Sequence, residues 1–323
     1  MMTSVESVRK WGGSTTDAIL DPSCQIFRVP ALDGLIGYRN INGCAVVFGD
    51  PLCSPDKIED LIGSFHEYCD GINLRVLYLI VSEPFAAWLV KKGFCKARIE
   101  YGEELILNPH DDPRKKQGCH ASLVRRKVRH AESESVMVKE YIPTNETIEK
   151  GIVQVGEKWL ENRQGPQIHI SNVRTFDNIY GKRWFYAQVK DQIVGVLTLN
   201  RLEKNDGYLL NHLMYTPEAP GGVPEILVIT ALDALVLENC NFVTFGSVPA
   251  ASLGEIIGLG PFSKYFAVNI YLLANKMYHL DRKKKFWEKF APSSDKMFLA
   301  FQNSHIGLKE LIALKNALNA TIV

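Results

Sequence analysis

Residues 208–250 constrain the fold of this 323-residue chain more than any other segment. Their sequence, YLLNHLMYTPEAPGGVPEILVITALDALVLENCNFVTFGSVPA, predicts a strand, a glycine-containing turn, an amphipathic helix and another strand. A helix N-terminus attracts anions and carbonyl oxygens, because its N–H groups are unpaired and carry partial positive charge. Two glycines in the turn, Gly221 and Gly222, would let a ligand approach the backbone closely. The segment therefore favours a site for group transfer, although the same residues could serve only to turn the chain.

The order of elements along the chain predicts an α/β fold with mixed sheets. Strands and helices alternate up to a turn-rich linker at 108–116, and a basic helix at 118–131 follows it. A second alternating series comes after the basic helix, with an element order similar to that of the first. We therefore predict two tandem domains of similar fold, at 1–117 and 136–323, joined by a basic connecting helix at 118–135.

The charge balance and the cysteine content exclude several classes of function. The chain has 37 Lys and Arg against 36 Asp and Glu, which excludes a globally basic nucleic-acid binder and leaves only a local patch for such contact. Its seven cysteines include no CxxC pair, which favours free thiols in a reducing compartment, and no short-spaced Cys/His cluster indicates a metal site. The sequence has no apolar signal segment or membrane-spanning run, so we expect a cytoplasmic protein, with contact at a membrane surface left open.

Two basic clusters are candidates for a local patch. Arg125, Arg126 and Arg129 share one face of the basic helix, so they could hold a phosphate backbone, or the helix could simply be solvated. The second cluster, at 282–290, interleaves lysines with aromatic residues. Its lysines could meet nucleic acid or an anionic lipid surface, whereas its aromatic residues are expected to pack in the core.

Two histidines and their neighbours are candidates for acid–base chemistry. His212 and Tyr215 end the strand that leads into the glycine turn, and they could act as base and acid. Because they are three residues apart on a strand, they face opposite sides unless a bulge intervenes. His169 and Asp177 lie in a long connection, where functional residues concentrate. Each of these residues could equally have a structural role.

Six segments occur in an order that resembles a known family. They are VVFGDPLCSP, KKGFCKARIEYGEELILN, GCHASLVRRKVRHAESES, HLMYTPEAPGGVPEILVITAL, NFVTFGSVPA and RKKKFWEKFAP. Together they span about residues 40–303 and are similar to the C-terminal catalytic domain of phosphatidylglycerol lysyltransferases and to the corresponding domain of fungal ergosteryl aminoacyl synthases. The resemblance implies two tandem acetyltransferase-like (GNAT) domains joined by a positively charged helix. It also implies transfer of an aminoacyl group from aminoacyl-tRNA to the hydroxyl of a lipid, such as phosphatidylglycerol or a sterol.

With this resemblance, the candidate residues take three roles. The tRNA-binding set is cationic and consists of Arg125, Arg126, Arg129, Lys285 and Lys289. The substrate-binding set lies along the glycine turn and its flanking strands and consists of Asn211, Gly221, Gly222, Glu225 and Ser247. The catalytic set consists of His212, Tyr215, His169 and Asp177. Members of the family tend to carry an Asp and an Arg where this chain has His212 and Tyr215, so the amino acid and its acceptor stay open.

These observations predict an aminoacyltransferase that uses neither a metal nor a cofactor, because its donor ester is already activated. Its main tasks would be to position the reactants and to stabilise an oxyanion, through backbone N–H groups near Tyr215, Gly221 and Gly222. Two alternatives remain. One is a coenzyme-A-dependent N-acetyltransferase, in which the glycine turn would hold the pyrophosphate of acetyl-CoA. The other is a non-catalytic, degenerate GNAT pair that serves as a binding module.

Overall fold

The computed structural model describes residues 2–30, 32–163, 173–278 and 280–320. The helices within these ranges are α1 Ser4–Trp11, α2 Ile58–Gly71, α3 Glu83–Lys91, α4 Cys119–Ser133, α5 Glu146–Glu161, α6 Val223–Leu237, α7 Pro261–Tyr278, α8 Asp281–Glu288 and α9 Leu308–Ala317. The strands are β1 Gln25–Phe27, β2 Gly34–Ile41, β3 Cys44–Phe48, β4 Leu52–Cys53, β5 Arg75–Ser82, β6 Ala97–Leu107, β7 Met137–Tyr141, β8 Lys182–Val189, β9 Gln192–Leu202, β10 Gly207–Tyr215, β11 Val243–Pro249, β12 Ile256–Ile257 and β13 Ser293–Phe301.

These strands join in one mixed sheet. Most of them follow the order β1-β2-β3-β5-β13-β6-β11-β10-β9-β8-β7, while β4 pairs with β2 and β12 pairs with β6. Two neighbouring pairs in this order are parallel, β3 with β5 and β10 with β11, and the others are antiparallel. The mixed α/β class that the sequence predicts is therefore confirmed.

The sheet runs without a break through both predicted halves of the chain. β6, the last strand before the basic helix, pairs with β11, where Ile106 lies opposite Thr244. β13 comes from the C-terminal part of the chain, yet it lies between β5 and β6. Since one sheet connects both halves, the division into domains at 1–117 and 136–323 stays a prediction.

Helix α6 forms the centre of the core in the second half of the sheet. Its sequence is apolar around the whole circumference, as expected of a helix with protein on all sides, and ten of its residues are buried. On one side it meets the sheet, and on the other it meets Val124, Val128 and Ala131 of α4. Because α4 directs this apolar stripe at α6, its arginines are left on the solvent side.

The structure differs from the predicted elements at two places. The sequence pattern predicts a helix around 269–279, whereas helix α7 begins at Pro261, eight residues earlier. The first 40 residues, for which the sequence pattern predicts no element, contain α1, β1 and the start of β2, and α1 packs on β9 in the second half of the sheet. A local signal for α1 exists, because Thr3 and Glu6 form a capping box at its start.

Three further features concern the described ranges of the chain. No helix there combines the length and the apolarity that crossing a bilayer requires. No cluster of three or more His, Cys, Asp or Glu side chains lies close enough to hold a metal ion. All seven cysteines are free thiols, five of them buried, so the fold does not depend on a disulfide framework.

Candidate active site

The parallel neighbours β10 and β11 diverge soon after they begin. Their ladder contains only two residue pairs. Directly after it, each strand has a bulge, between Leu210 and His212 in β10 and between Thr244 and Gly246 in β11. A bulge bends its strand and increases the local twist, so the two strands separate. The separation lies towards the carboxyl ends of parallel strands, where open α/β sheets commonly bind ligands.

Threonine hydroxyls stabilise both bulges. The backbone N–H of His212 donates to Thr198 Oγ1 at 3.2 Å, and the backbone N–H of Gly246 donates to Thr244 Oγ1 at 3.0 Å. These side chains provide the partners that the interrupted ladders lack. Specific hydrogen bonds therefore maintain the divergence of the two strands.

The bulge at Asn211 decides which face of β10 carries His212. Leu210 packs in the core on the α6 side, and strict alternation would send His212 to that same face. The extra residue shifts the alternation, so His212 shares a face with Met214, which packs against α5. Tyr215 lies on the other face and is 41% exposed. Because the bulge precedes both residues, it does not bring His212 and Tyr215 together, and their pairing as base and acid is corrected.

His212 opens into a cleft of about 410 Å³, a volume that includes space open to solvent. Three segments that are distant in sequence line it, namely the turn after α1, the connection before β8 and the bulge of β10. The lining residues are Asp17, Leu20, Asp21, Arg174, Asp177, Asn178, Lys182, Asn211 and His212. The structure thus brings together three of the predicted residues, Asn211, His212 and Asp177.

Asp17 is held rigidly beside the cleft by two buried partners. Arg9 is fully buried; its guanidinium pairs with one carboxylate oxygen of Asp17, and its Nε donates to the carbonyl oxygen of Tyr180 at 2.9 Å. The side-chain amide of Asn200, which is also fully buried, donates to the other Asp17 oxygen. The two partners thereby fix the position of the Asp17 carboxylate beside the cleft.

Lys182 places an ammonium group opposite the carboxylates. Its Nζ donates to the carbonyl oxygens of Asp177, at 2.6 Å, and of Arg174, at 3.1 Å. Desolvation by burial lowers the pKa of Lys182. Desolvation also lowers the pKa of His212 to about 4, with a further contribution from the charge of Lys182. The imidazole of His212 is therefore uncharged at neutral pH.

Lys283 brings a second ammonium group to the point where the strands separate. Its Nζ donates to the carbonyl oxygen of Ser247 in β11 at 3.1 Å, and it lies close to Gly246 in the β11 bulge. The side chain is accessible to water, although protein groups surround it on most sides. This desolvation lowers its pKa to about 8, and the charge of Lys283 also acts on His212. Lys283 thus lies near the cleft, beside β11 and outside the set of lining residues, and Ser247 holds it through its backbone carbonyl.

The glycine turn before α6 has a different environment from the predicted one. Gly222 has a φ of 101° and lies against the backbone of α4, where an added Cβ would overlap the carbonyl group of Lys127. Gly221 faces the side chain of His130 in the same helix. Helix α4 therefore packs against the start of α6 at Gly222, and this close helix packing explains Gly222 without a ligand. An anion cradle at this turn stays a prediction.

Glu225, in the first turn of α6, is also committed to packing. It is buried and forms an ion pair with Lys289, whose side chain is buried as well. Neither charge is presented to a polyanion or a substrate, which corrects the substrate-binding role of Glu225 and the tRNA-binding role of Lys289. The aromatic residues beside Lys289 follow the prediction, because Trp287 and Phe290 are buried in the core with Phe245.

The other predicted residues remain at the surface or outside the described ranges. Arg125, Arg126 and Arg129 are exposed on α4, and the guanidinium of Arg125 donates to the carbonyl oxygen of Arg114 at 2.6 Å. Lys285 is exposed on α8. His169 falls within 164–172 and so lies outside the described residues.

Sequence reasoning misses seven of the charged or polar groups at or beside the cleft, namely Arg9, Asp17, Asp21, Arg174, Asn178, Lys182 and Asn200. Only Asn200 has a local signal, because it is a polar residue at the end of the apolar run VGVLTLN in β9. Lys283 belongs to a cluster that the sequence does reveal, but nothing local indicates that its ammonium group reaches β11.

The sequence matches the family described as "Phosphatidylglycerol lysyltransferase, C-terminal" over residues 13–301. The matched region includes every residue that lines the cleft. It confirms the resemblance that the six sequence segments indicate. A search of curated proteins found no match.

Solved structures show the same fold along nearly the whole chain. L-PGS from Bacillus licheniformis aligns with a TM-score of 0.78 at 17% identity, over 98% of this chain and 96% of that one. The C-terminal domain of a protein assigned as a lysylphosphatidylglycerol synthetase from Agrobacterium fabrum aligns with a TM-score of 0.73, at the same identity and coverage. FemX aligns with a TM-score of 0.54 at 10% identity, over 97% of this chain and 99% of that one. At these identities the likeness shows the fold alone.

Proposed function

The chain belongs to the phosphatidylglycerol lysyltransferase C-terminal family, and from this premise we propose that it transfers an aminoacyl group from aminoacyl-tRNA to the hydroxyl group of a lipid. The observation that carries the proposal is the cleft beside the diverging strands, where carboxylate, ammonium and uncharged imidazole groups meet. Family membership supports a transferase of the lysylphosphatidylglycerol synthase kind. The donor and the acceptor are our inference.

The mixed charges of the cleft suit the two parts of an aminoacyl-tRNA. The aminoacyl ester carries an α-ammonium group next to its reactive carbonyl, and its carrier is a polyanion. Asp17, Asp21 and Asp177 supply carboxylates for the ammonium group. Lys182 and Lys283 supply cations for a phosphate or for the negative charge that develops on the carbonyl oxygen. A cleft with charges of only one sign would favour either the ammonium group or the negatively charged groups, but not both.

The reaction exchanges one ester bond for another. The acceptor oxygen adds to the aminoacyl carbonyl carbon, the bond from that carbon to the ribose oxygen of the tRNA breaks, and the proton of the acceptor hydroxyl ends on the ribose oxygen. We assign the relay of this proton to His212, whose uncharged ring can accept a hydrogen bond from the hydroxyl. Its lowered pKa makes the ring a weaker base than free imidazole, so orienting the hydroxyl is its main contribution. We assign stabilisation of the oxyanion to Lys283.

We further propose that the tRNA lies along the exposed face of α4. Arg125, Arg126 and Arg129 are neighbours on this face, and such a stripe binds a phosphate backbone with an affinity that falls as salt is added. Helix α4 packs against α6 and so belongs to the same half of the sheet as β10. A carrier bound to α4 would share this half of the sheet but lie on the face opposite to His212, so its aminoacyl end would have to reach the cleft from across the sheet.

The direct test incubates the protein with a pool of radiolabelled aminoacyl-tRNAs and a total lipid extract. We expect label in a lipid product, a strong loss of label in Lys283→Met and His212→Asn, and no loss in the exposed-histidine control His110→Asn. Label in a soluble product would support aminoacyl-tRNA as the donor but reject a lipid as the acceptor. Transfer only from labelled acetyl-CoA would reject the proposal in favour of an N-acetyltransferase, and the absence of any product would favour a binding module.

The tRNA assignment has a separate test in binding measured at several salt concentrations. In the triple variant Arg125→Ala, Arg126→Ala, Arg129→Ala, we expect weaker binding and a log–log salt slope that is shallower by about 2, since each lost phosphate contact removes about 0.7–0.9 from it. The matched control changes Lys150 and Lys158, exposed cations on α5, to alanine. Unchanged affinity and slope in the triple variant would reject the assignment to α4.

A further inference from the structure

Helix α7 carries its large apolar side chains on the face that meets solvent. Phe262 is 90% exposed, Tyr265 is 74% exposed and Leu273 is 61% exposed. Phe266 and Leu272 are exposed as well. Their spacing along the helix places all five side chains on one stripe. We call these five residues the apolar stripe of α7.

The opposite face of α7 is small and polar, and it attaches the helix to the rest of the protein. Ser263 and Ala267 are the buried residues of this helix. One turn further along the same face, the hydroxyl of Tyr271 lies 2.8 Å from the carbonyl oxygens of both Tyr101 and Ala250. An ordinary surface helix directs its apolar side inward. Helix α7 has the reverse arrangement, so the apolar stripe is available to a partner.

The charge around the stripe indicates what kind of partner fits. The charge of α7 itself is positive, although the whole chain is nearly neutral. Helix α7 contains Lys264 and Lys276, both exposed, and no acidic residue. Aromatic and aliphatic side chains flanked by lysines are suited to the interface of an anionic bilayer, where the rings sit at headgroup level and the ammonium groups meet phosphates.

We propose that α7 is a membrane-docking helix that lays its apolar stripe on an anionic lipid surface. In one respect this rests on the proposed function, because a lipid acceptor gives the docking a purpose. Charge favours a bilayer over a second copy of the chain. Two copies that met through the stripe would bring the lysines of both α7 helices together with no acidic residue of α7 to offset them, and like charges facing one another disfavour association.

The docking helix and the cleft are connected through β11. Tyr271 of α7 binds the carbonyl oxygen of Ala250, which directly follows β11, and Lys283 of α8 binds the carbonyl oxygen of Ser247 within that strand. A bilayer on α7 would therefore lie beside the strand that forms one side of the divergence. Docking would hold the cleft near the lipid headgroups.

The test is co-sedimentation with phosphatidylcholine vesicles, with and without phosphatidylglycerol, in the absence of tRNA. We expect the wild-type protein to bind the anionic vesicles and the double variant Phe262→Ser, Phe266→Ser to bind at least about tenfold more weakly. The matched control, Ile142→Ser with Leu237→Ser, removes two side chains that are 72% and 85% exposed elsewhere, and it should bind like the wild type. Changing Lys264 and Lys276 to Glu should weaken binding only to the anionic vesicles.

Two results would overturn the proposal. One is a failure in vesicle binding: either the wild-type protein does not bind anionic vesicles, or the Phe262, Phe266 variant binds them as tightly as the wild type does. The other is a dimer, measured by light scattering, that the same variant converts into a monomer, which would assign the stripe to a second copy of the chain. Vesicle binding is measured without the transfer reaction, and transfer to a detergent-dispersed lipid is measured without docking, so failure of either idea leaves the other testable.

Discussion

Replacing Gly222 by alanine separates the two explanations of the glycine turn before α6. Gly222 has a φ of 101°, and a Cβ added to it would lie 2.9 Å from the carbonyl carbon of Lys127 and closer still to the carbonyl oxygen. If the glycine is needed for helix packing, the variant loses stability. If it is needed to admit a ligand, the variant loses binding as well, and its loss of stability is limited to the cost of the positive φ.

The structure allows the loss of stability to be estimated. Holding an alanine at positive φ costs about 1–2 kcal/mol. Relieving the overlap between two packed helices costs about 1–3 kcal/mol more, because the backbone of Lys127 has to move. We therefore expect Gly222→Ala to lower the free energy of unfolding by about 3 kcal/mol. For a chain of this length that corresponds to a fall in Tm of about 4 °C.

Gly221→Ala provides the matched control. A Cβ on Gly221 would meet only the side chain of His130, with Cδ2 at 3.2 Å, and that ring can move aside. Its effect on the free energy of unfolding should stay within about 0.5 kcal/mol. Thermal unfolding followed by circular dichroism, together with tRNA titration, distinguishes the cases. If both variants melt like the wild type while both bind aminoacyl-tRNA more weakly, the packing argument fails.

Two further predictions concern buried titratable groups. Glu225→Leu should lower the free energy of unfolding, measured in urea, by about 3–5 kcal/mol, because it leaves Lys289 buried without its partner. The double variant Glu225→Leu, Lys289→Met should recover most of this loss. Equal losses in the single and the double variant would contradict the pairing. For His212, the pKa is about 4 in the folded state and about 6.5 when unfolded, so between these values the unfolded state binds more protons and stability rises with pH. His212→Asn should flatten this rise but not abolish it, because His66, whose pKa burial also lowers to about 4, remains; an unchanged pH profile of Tm would refute the assignment.

Local patterns in the sequence predict several elements of the site. The sequence pattern predicts a strand at 207–215, which are the bounds of β10 in the structure. It also predicts a helix at 224–238, and α6 differs from this by one residue at each end. Asn211, His212 and Asp177 are all candidates from their residue types and their positions at a strand end or in a long connection. Such signals depend on residues close together in sequence, so they do not require knowledge of contacts with distant parts of the chain.

The assembly of the cleft depends on contacts between distant parts of the chain. Arg9 and Asp17 reach it only because α1 packs on β9, and Lys283 reaches it only because α8 packs on β11. The bulge at Asn211 has no sequence signal of its own, yet it decides on which face His212 lies. The packing role of Gly222 is hidden in the sequence for the same reason, since the partner that requires a glycine there is the backbone of Lys127.

Helix α7 shows a related limit of apolar periodicity. The spacing of Phe262, Phe266 and Leu273 defines one face of a helix, but it does not state whether that face meets the core or the solvent. Burial is the default, and it holds for α4 and α6. In α7 the hydrogen bonds of Tyr271 fix the polar face inward, so the apolar stripe faces outward. An apolar face therefore indicates where a helix makes contact, and only the tertiary structure shows whether the partner belongs to the same chain.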